Sequence, residues 1–507
     1  MSVTLTVLLA AVVLLVLYNV QRLKSRGRAR FPPGPKPLPI FGNILDLPSH
    51  KPWVKYLEWS KEYNSELIYL DLPNQPTIVL NSAEAILSLM EGSSGNYSDK
   101  PVMAIEELTG WEWNVGLLPY GPRWRLARRL FHQHFNQHAV KQYNPIQTRE
   151  VRALLKRTAN NKANEGRFDM ISIRQTLVAI ILDITYGMRI ENLDNEFVSL
   201  AQTAAEALSR RFPGSFWAEF FPWLKYIPSW IPGSSARAWG DHYSPIAKAA
   251  RSRPFDTVMM DVQNGTAAPS VSRSLAEKLG KLAGSSSYNE FETGAKDATG
   301  TAYVAAVDTQ FAVMSTFLLA MLAAPHVQRK AQAELDSVVG ADRLPTVEDL
   351  PSLPFVQAIY LEAMRWMPVL PLGVPRRAIA DDEYKGYHIP AGTIIMMNIW
   401  AMLYDPDEYS NPDVFDPDRF MRDGKINPDI RDSTANFGFG RRKCAGRHLA
   451  RETLLLMISS ILYAFNIEPI GQEISAEPST GFVSHSELPP CRLVPRSAAI
   501  MDLVNDS

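Results

Sequence analysis

The residues best able to do chemistry lie in one stretch, Phe437-Gly-Phe-Gly-Arg-Arg-Lys-Cys-Ala-Gly446. Gly438 and Gly440 permit a tight turn, and Cys444 then opens an apolar segment that reads as a helix. A helix N-terminus aims amide donors at the sulfur, and Arg441, Arg442 and Lys443 add positive charge, so the pattern favours a thiolate. A lone thiolate is a nucleophile or a metal ligand. A nucleophile needs a histidine base, and His448 stands one helical turn on, so spacing leaves both roles open. The other cysteine, Cys491 in PPCRLVPR, reads as a buried inert thiol.

Three further patterns have weaker chemistry when taken alone. Glu362-Ala-Met-Arg365 places a carboxylate and a guanidinium on one helical face, an arrangement more often found as a solvated pair. Trp124-Arg-Leu-Ala-Arg128 turns an indole N–H and a guanidinium to the same side, two donors without an acceptor. Asp308-Thr309 sets a carboxylate beside a hydroxyl within an apolar helical stretch.

The elements that must position these groups are mostly helical. Periodic apolar residues run from about residue 51 to 339, with short extended pieces at 67–71 and 77–80. The longest helix is expected over 291–323, ended by Pro325. Residues 345–425 are rich in proline, aspartate and turns, with a strand-like run at 393–399, and a last apolar helix is expected over 445–463. The Ser-, Gly- and Ala-rich stretch 265–290 reads as a surface loop or short linker. No internal repeat and no second domain boundary is evident in the globular part.

The 507 residues are 46% hydrophobic and 21% charged, which excludes global disorder. Two cysteines exclude a disulfide framework and a four-cysteine zinc site. A net charge of −1 argues against nucleic-acid binding driven by bulk electrostatics. That near-neutral value hides an asymmetry. No acidic residue precedes Asp46, whereas Arg22, Lys24, Arg26, Arg28, Arg30 and Lys36 do. Residues 3–20, VTLTVLLAAVVLLVLYNV, are uncharged and would span ~27 Å as a helix, enough for a thin bilayer. The basic run that follows keeps its side cytosolic. The expected organisation is a transmembrane anchor at 1–21, a basic and proline-rich linker at 22–43, and one catalytic domain at 44–507. A cleaved signal would carry its positive charges before the apolar run rather than after it.

FGFGRRKCAG resembles the haem-binding loop of the cytochromes P-450, the haem-thiolate monooxygenases, with Phe437, Gly440, Arg442, Cys444 and Gly446 at the required positions. The resemblance extends to Glu362, Arg365 and Arg419 (in Pro417-Asp-Arg-Phe420), to Trp124 and Arg128, to Ala305-Ala-Val-Asp-Thr309, and to the hairpin signature KGYHIPAGT. It covers essentially the whole chain and is nearest in texture to membrane-bound fungal members of secondary metabolism. It implies a mainly α fold with a smaller β-rich region, haem b (iron protoporphyrin IX) with Cys444 as the axial iron ligand, and propionate contacts from Trp124, Arg128, Arg376 and Arg442. Glu362, Arg365 and Arg419 would form a structural triad, and Asp308 and Thr309 would deliver protons for O–O cleavage. Ala306 departs from the usual glycine, and Gln310 from the second threonine common in fungal members.

Further implications are electrons from NADPH through a separate reductase, residence in the endoplasmic reticulum membrane, and a lipophilic substrate such as a terpenoid or polyketide. Arg125, Arg129, Arg441 and Lys443 would face an acidic partner. By the same analogy Ile105, Trp111, Tyr303, Ala305, Val369, Val374 and Phe482 would line the substrate pocket, near Met103 and Val483. The rival readings are a haem-thiolate isomerase or dehydratase that does not use O₂, which intact Asp308-Thr309 disfavours, and a non-catalytic haem-binding membrane protein.

Overall fold

The computed structural model describes residues 30–160, 167–192, 194–209, 215–231, 234–471 and 478–507. The anchor expected at 1–21 lies outside them, as does the start of the linker.

Helices dominate. Those that frame the site are α1 (Pro122–Phe135), α2 (Ile171–Tyr186), α3 (Ser235–Asn264), α4 (Tyr288–Ala323), α5 (Pro354–Trp366) and α6 (Arg447–Ala464). Helix α4 is apolar on nearly every side, and such a helix must be wrapped by others; α1, α2, α3, α5 and α6 all pack against it. Among the described residues it alone is long and apolar enough to cross a membrane, yet 72% of its most apolar window is buried within the chain. It starts a turn earlier than residue 291, and Pro325 opens the next helix at its first position, where the missing N–H is harmless.

A small sheet lies beside the helical mass, in the order β1 (Leu67–Leu70), β2 (Thr77–Leu80), β6 (Ile394–Met397), β3 (Arg376–Arg377). Strands β1 and β2 are antiparallel, β2 and β6 parallel, and β6 and β3 antiparallel with Arg376 opposite Ile395. Between β3 and β6, β4 (Asp382–Tyr384) and β5 (Tyr387–Ile389) form a hairpin. Its turn uses Lys385 and Gly386, both at positive φ, as a two-residue hairpin turn of this hand requires.

One expectation fails. Within 265–290, Val271–Lys281 is helical. Ser270 caps it by accepting from the Arg273 N–H at 3.1 Å, and Val271, Leu275, Ala276 and Leu279 bury one face in the main core. The small residues obscured an i, i+4 apolar pattern.

Candidate active site

Cys444 sits just before α6, on a loop whose shape depends on Gly440. Its φ is +55°, and a Cβ there would stand 2.4 Å from the Met90 carbonyl oxygen, so both conformation and space demand glycine. The Cys444 N–H donates to the Phe437 carbonyl at 2.7 Å and closes the loop. Cys444 opens onto a cavity of about 330 Å³. Burial pushes the thiol above its ordinary range, opposed by the Gly446 and Arg447 amides and the Arg128 and Arg447 charges. No hydrogen bond joins His448 to Cys444 among the described residues, and burial and neighbouring cations lower the imidazole.

Four cations converge on this cavity: Lys100, Arg128, Arg376 and Arg442. Arg128 Nη2 donates to the Lys443 carbonyl beside the cysteine. Arg376, carried by β3, reaches the Phe439 carbonyl at 3.1 Å, while its buried Nε has no partner. Arg442 donates to the carbonyls of Ser98 at 2.7 Å, Val115 at 3.4 Å and Leu118 at 2.7 Å, and lies 4.3 Å over the Trp124 ring. Lys100 Nζ donates to the carbonyls of Val374 at 3.0 Å and Pro375 at 2.7 Å. Burial, then Arg442 and Arg128, push Arg376 down to about 9. Burial, the largest cause, and Arg128 push Arg442 down to about 10, against Asp99. Burial, then Arg376 and Arg442, hold Lys100 well below the usual amine range. Cations that repel one another around an unfilled donor fit a dianionic group, and the two propionates of a haem supply that charge. Lys100 was not expected from sequence, where a lone lysine in SDKP has no distinguishing mark.

On α4, Thr309 Oγ1 donates to the Ala305 carbonyl at 3.0 Å and Gln310 Nε2 to the Ala306 carbonyl at 2.9 Å. The Gln310 bond falls at the position where alanine replaces glycine. Gln310 Oε1 is buried without a partner. Asp308 is tied at 2.7 Å to Arg174 of α2. Ala305, Ala306, Asp308, Thr309 and Gln310 all line the cavity.

Behind the cysteine loop, Arg365 Nε and Nη2 grip both Glu362 oxygens at 2.7 and 2.9 Å, and Arg419 Nε donates to Glu362 at 3.1 Å. Arg365 and Glu362 are fully buried. The cluster does not line the cavity that Cys444 borders, which suits a structural part.

Of the residues expected in the substrate pocket, Ala305, Val369, Val374 and Phe482 line the cavity. Trp111, Ile105 and Tyr303 do not, and these three are corrected. Trp111 stacks on Trp113 in the core at 5.2 Å. Ile105 is buried with Met103, Ala218 and Ala236. Tyr303 donates its hydroxyl to the Phe197 carbonyl and packs on Tyr186, because two residues before Ala305 is nearly the opposite face of a helix. The Gly440 backbone shapes the loop without lining the cavity.

Comparison with known proteins agrees with this arrangement. The family model for Cytochrome P450 matches residues 32–489. The cytochrome P450 monooxygenase COX2 of Coprinopsis cinerea is 37% identical over 97% of this chain and 94% of its own. COX1 of the same fungus is 38% identical over 92% and 91%, and the tryptamine 4-monooxygenase of Psilocybe cyanescens is 35% identical over 96% and 96%. Similarity that spans nearly the full length of each relative, around a cysteine loop faced by clustered cations, makes this chain a member of the cytochrome P450 family.

Proposed function

We propose that this monooxygenase places one oxygen atom from O₂ into a neutral lipophilic metabolite, a terpenoid or polyketide of fungal secondary metabolism. The family carries haem b and takes electrons from a redox partner. When bound, the haem supplies dioxygen activation. Cys444 would ligate its iron. Arg128, Arg376, Arg442 and Lys100, with the Trp124 indole, would hold its propionates, on a loop shaped by Phe437, Gly440 and Gly446. Thr309 would hold water at the oxygen side and Asp308 would give the proton. The observation that carries this reading is convergence: one thiol, four cations and a carboxylate–hydroxyl pair border a single cavity.

Ala302, Val304, Val369, Val374, Phe482 and Val483 supply apolar wall. Among the described lining residues the single carboxylate is Asp308, already paired with Arg174. No second anion is left for a substrate amine, such as the tryptamine in one relative's name, and this favours a neutral substrate.

Reduced, CO-treated protein is expected to absorb at the thiolate-specific Soret position, and Cys444→Ser to lose that band. Its persistence in the variant would remove Cys444 as ligand. With reductase, NADPH and ¹⁸O₂, product is expected to carry the label, which an O₂-independent isomerase or dehydratase would not introduce.

A single-pass anchor in the endoplasmic reticulum with the catalytic domain cytosolic is part of the proposal, and the described surface supports it. Trp223, Tyr226 and Trp230 are 62, 75 and 81% exposed. Phe41, near the end of the linker, lies 6.3 Å from the Trp217 ring and 6.5 Å from that of Phe221. Large aromatics left exposed to solvent within one short segment suit a membrane interface. Protein lacking residues 1–30 is expected to keep weak binding to phospholipid vesicles, measured by flotation, and to lose it on Trp223→Ser with Trp230→Ser. Equal flotation of both forms would dismiss this patch.

A partner of the NADPH-dependent reductase type is supported by exposed cations on the cysteine side. Arg125 and Arg441 flank the Tyr120 ring at 5.7 and 5.9 Å, and Arg129 is exposed on the same helix as Arg125. Such charges steer an acidic surface.

A further inference from the structure

Asp308 belongs to a cluster that reaches past the cavity. Its Oδ1 accepts from Arg174 Nη1 at 2.7 Å, and the same guanidinium lies 4.4 Å over the Phe311 ring. His485 packs on that ring too, with centroids 6.1 Å apart. The His485 backbone is pinned at both ends: its N–H donates to Ser479 Oγ at 2.8 Å, and its carbonyl accepts from the Ser479 N–H at 2.7 Å. The backbone that carries the imidazole is therefore held in place. Its Nδ1 is buried with no hydrogen-bond partner, while the residue as a whole is only half-buried. A histidine so placed touches solvent on one part and presents an unsatisfied nitrogen to the interior, where a water is the natural partner.

We propose that His485 is the proton-entry residue of this enzyme, passing protons from solvent through a water to Asp308, with Arg174 the positioning residue that holds the carboxylate in place to receive them. The step balances as proton transfer alone. The imidazolium gives its proton to the bridging water, the water gives one to the Asp308 carboxylate, and solvent reprotonates the imidazole. Burial lowers His485 relative to an ordinary imidazole, so a proton taken up from solvent is held weakly and passed on readily. Asp308 on α4 raises it, and Arg174 on α2 lowers it. Ionised Asp308 thus draws a proton onto His485, and the attraction fades once the proton has moved on.

The proposal rests on Asp308 as the proton donor, and its test uses the haem-loaded protein with reductase. His485→Gln is expected to lower coupled product formation about tenfold, less than loss of the donor itself because bulk water partly substitutes. NADPH electrons should divert to hydrogen peroxide, and the pH dependence of coupling should flatten. Arg174→Met should uncouple as well, and Arg174→Lys should restore much of the loss. Independently of turnover, the pH dependence of His485 acylation by diethyl pyrocarbonate, followed by mass spectrometry, reads its titration. The midpoint should fall in Asp308→Asn and rise in Arg174→Met. Unchanged coupling in His485→Gln, or an unmoved midpoint in both charge variants, would overturn the proposal. Full coupling in Asp308→Asn would overturn the relay as well. A wild-type protein without the thiolate CO band would instead refute the haem-ligand reading.

Discussion

Replacing Glu362 by alanine is expected to yield almost no folded, haem-loaded protein. Arg365 is fully buried, and among the described residues its charge is met by Glu362 alone, through two bonds. Its other donors go to the carbonyls of Leu403, Pro412 and Val414, and the Tyr404 and Tyr409 rings each lie 5.5 Å from it. Glu362 also accepts from the Asp416 N–H at 2.9 Å and from Arg419. Alanine would strand a buried cation and orphan a backbone donor at once. Breaking a buried pair from one side costs about 3–5 kcal/mol, a large share of the ~5–15 kcal/mol that keeps a domain folded. Glu362→Asp keeps the charge but shortens the reach, and should fall between. Thermal unfolding and the CO-difference band per milligram of protein measure both effects. A Glu362→Ala protein that melts with the wild type and loads haem fully would show that the cluster is dispensable.

Asp308→Asn is expected to cut product formation by about 10²-fold, the scale of losing a positioned proton donor, at unchanged haem content. Asparagine keeps the volume and can still accept from Arg174, so the helix should stand. What it lacks is a carboxyl that can take a proton and release it. The rate of product formation should therefore fall more than NADPH oxidation, with peroxide making up the difference. Product formed at the wild-type rate would exclude Asp308 from the chemistry. A parallel loss of haem binding would point to a structural part instead.

How much of this was legible in the sequence depended on the distance over which each feature is encoded. The cysteine loop is local: Gly440 and Cys444 lie four residues apart, and the reason for the glycine, contact with Met90, adds detail without altering the reading. Glu362 and Arg365 are legible because a helix brings i and i+3 together. The partner of Asp308 is not, since Arg174 is contributed by another helix and no short pattern joins them. Lys100 escapes for the same reason, its neighbours Arg376 and Arg442 arriving through β3 and the cysteine loop. Tyr303 shows a different failure. It lies on the right helix, but the helical angle from Ala305 turns it away, which the spacing itself would have shown. Trp111 and Ile105 were recognisable as interior residues, but which void an interior residue faces is decided by tertiary packing. Helix Val271–Lys281 was missed because composition was weighed above periodicity.

The grip of Arg442 on the segment before α1 has a consequence for how such an enzyme diversifies. Its guanidinium holds that segment by the main-chain carbonyls of Ser98, Val115 and Leu118. Every amino acid offers a carbonyl, so the clasp is indifferent to what the segment's side chains are. Of the side chains between the clasped points, Asn114 and Leu117 border the cavity, and these can be exchanged to suit new molecules while the fastening beside Cys444 stays as it is. Evolvability at the pocket and constancy at the reaction centre are thereby assigned to different parts of the same residues.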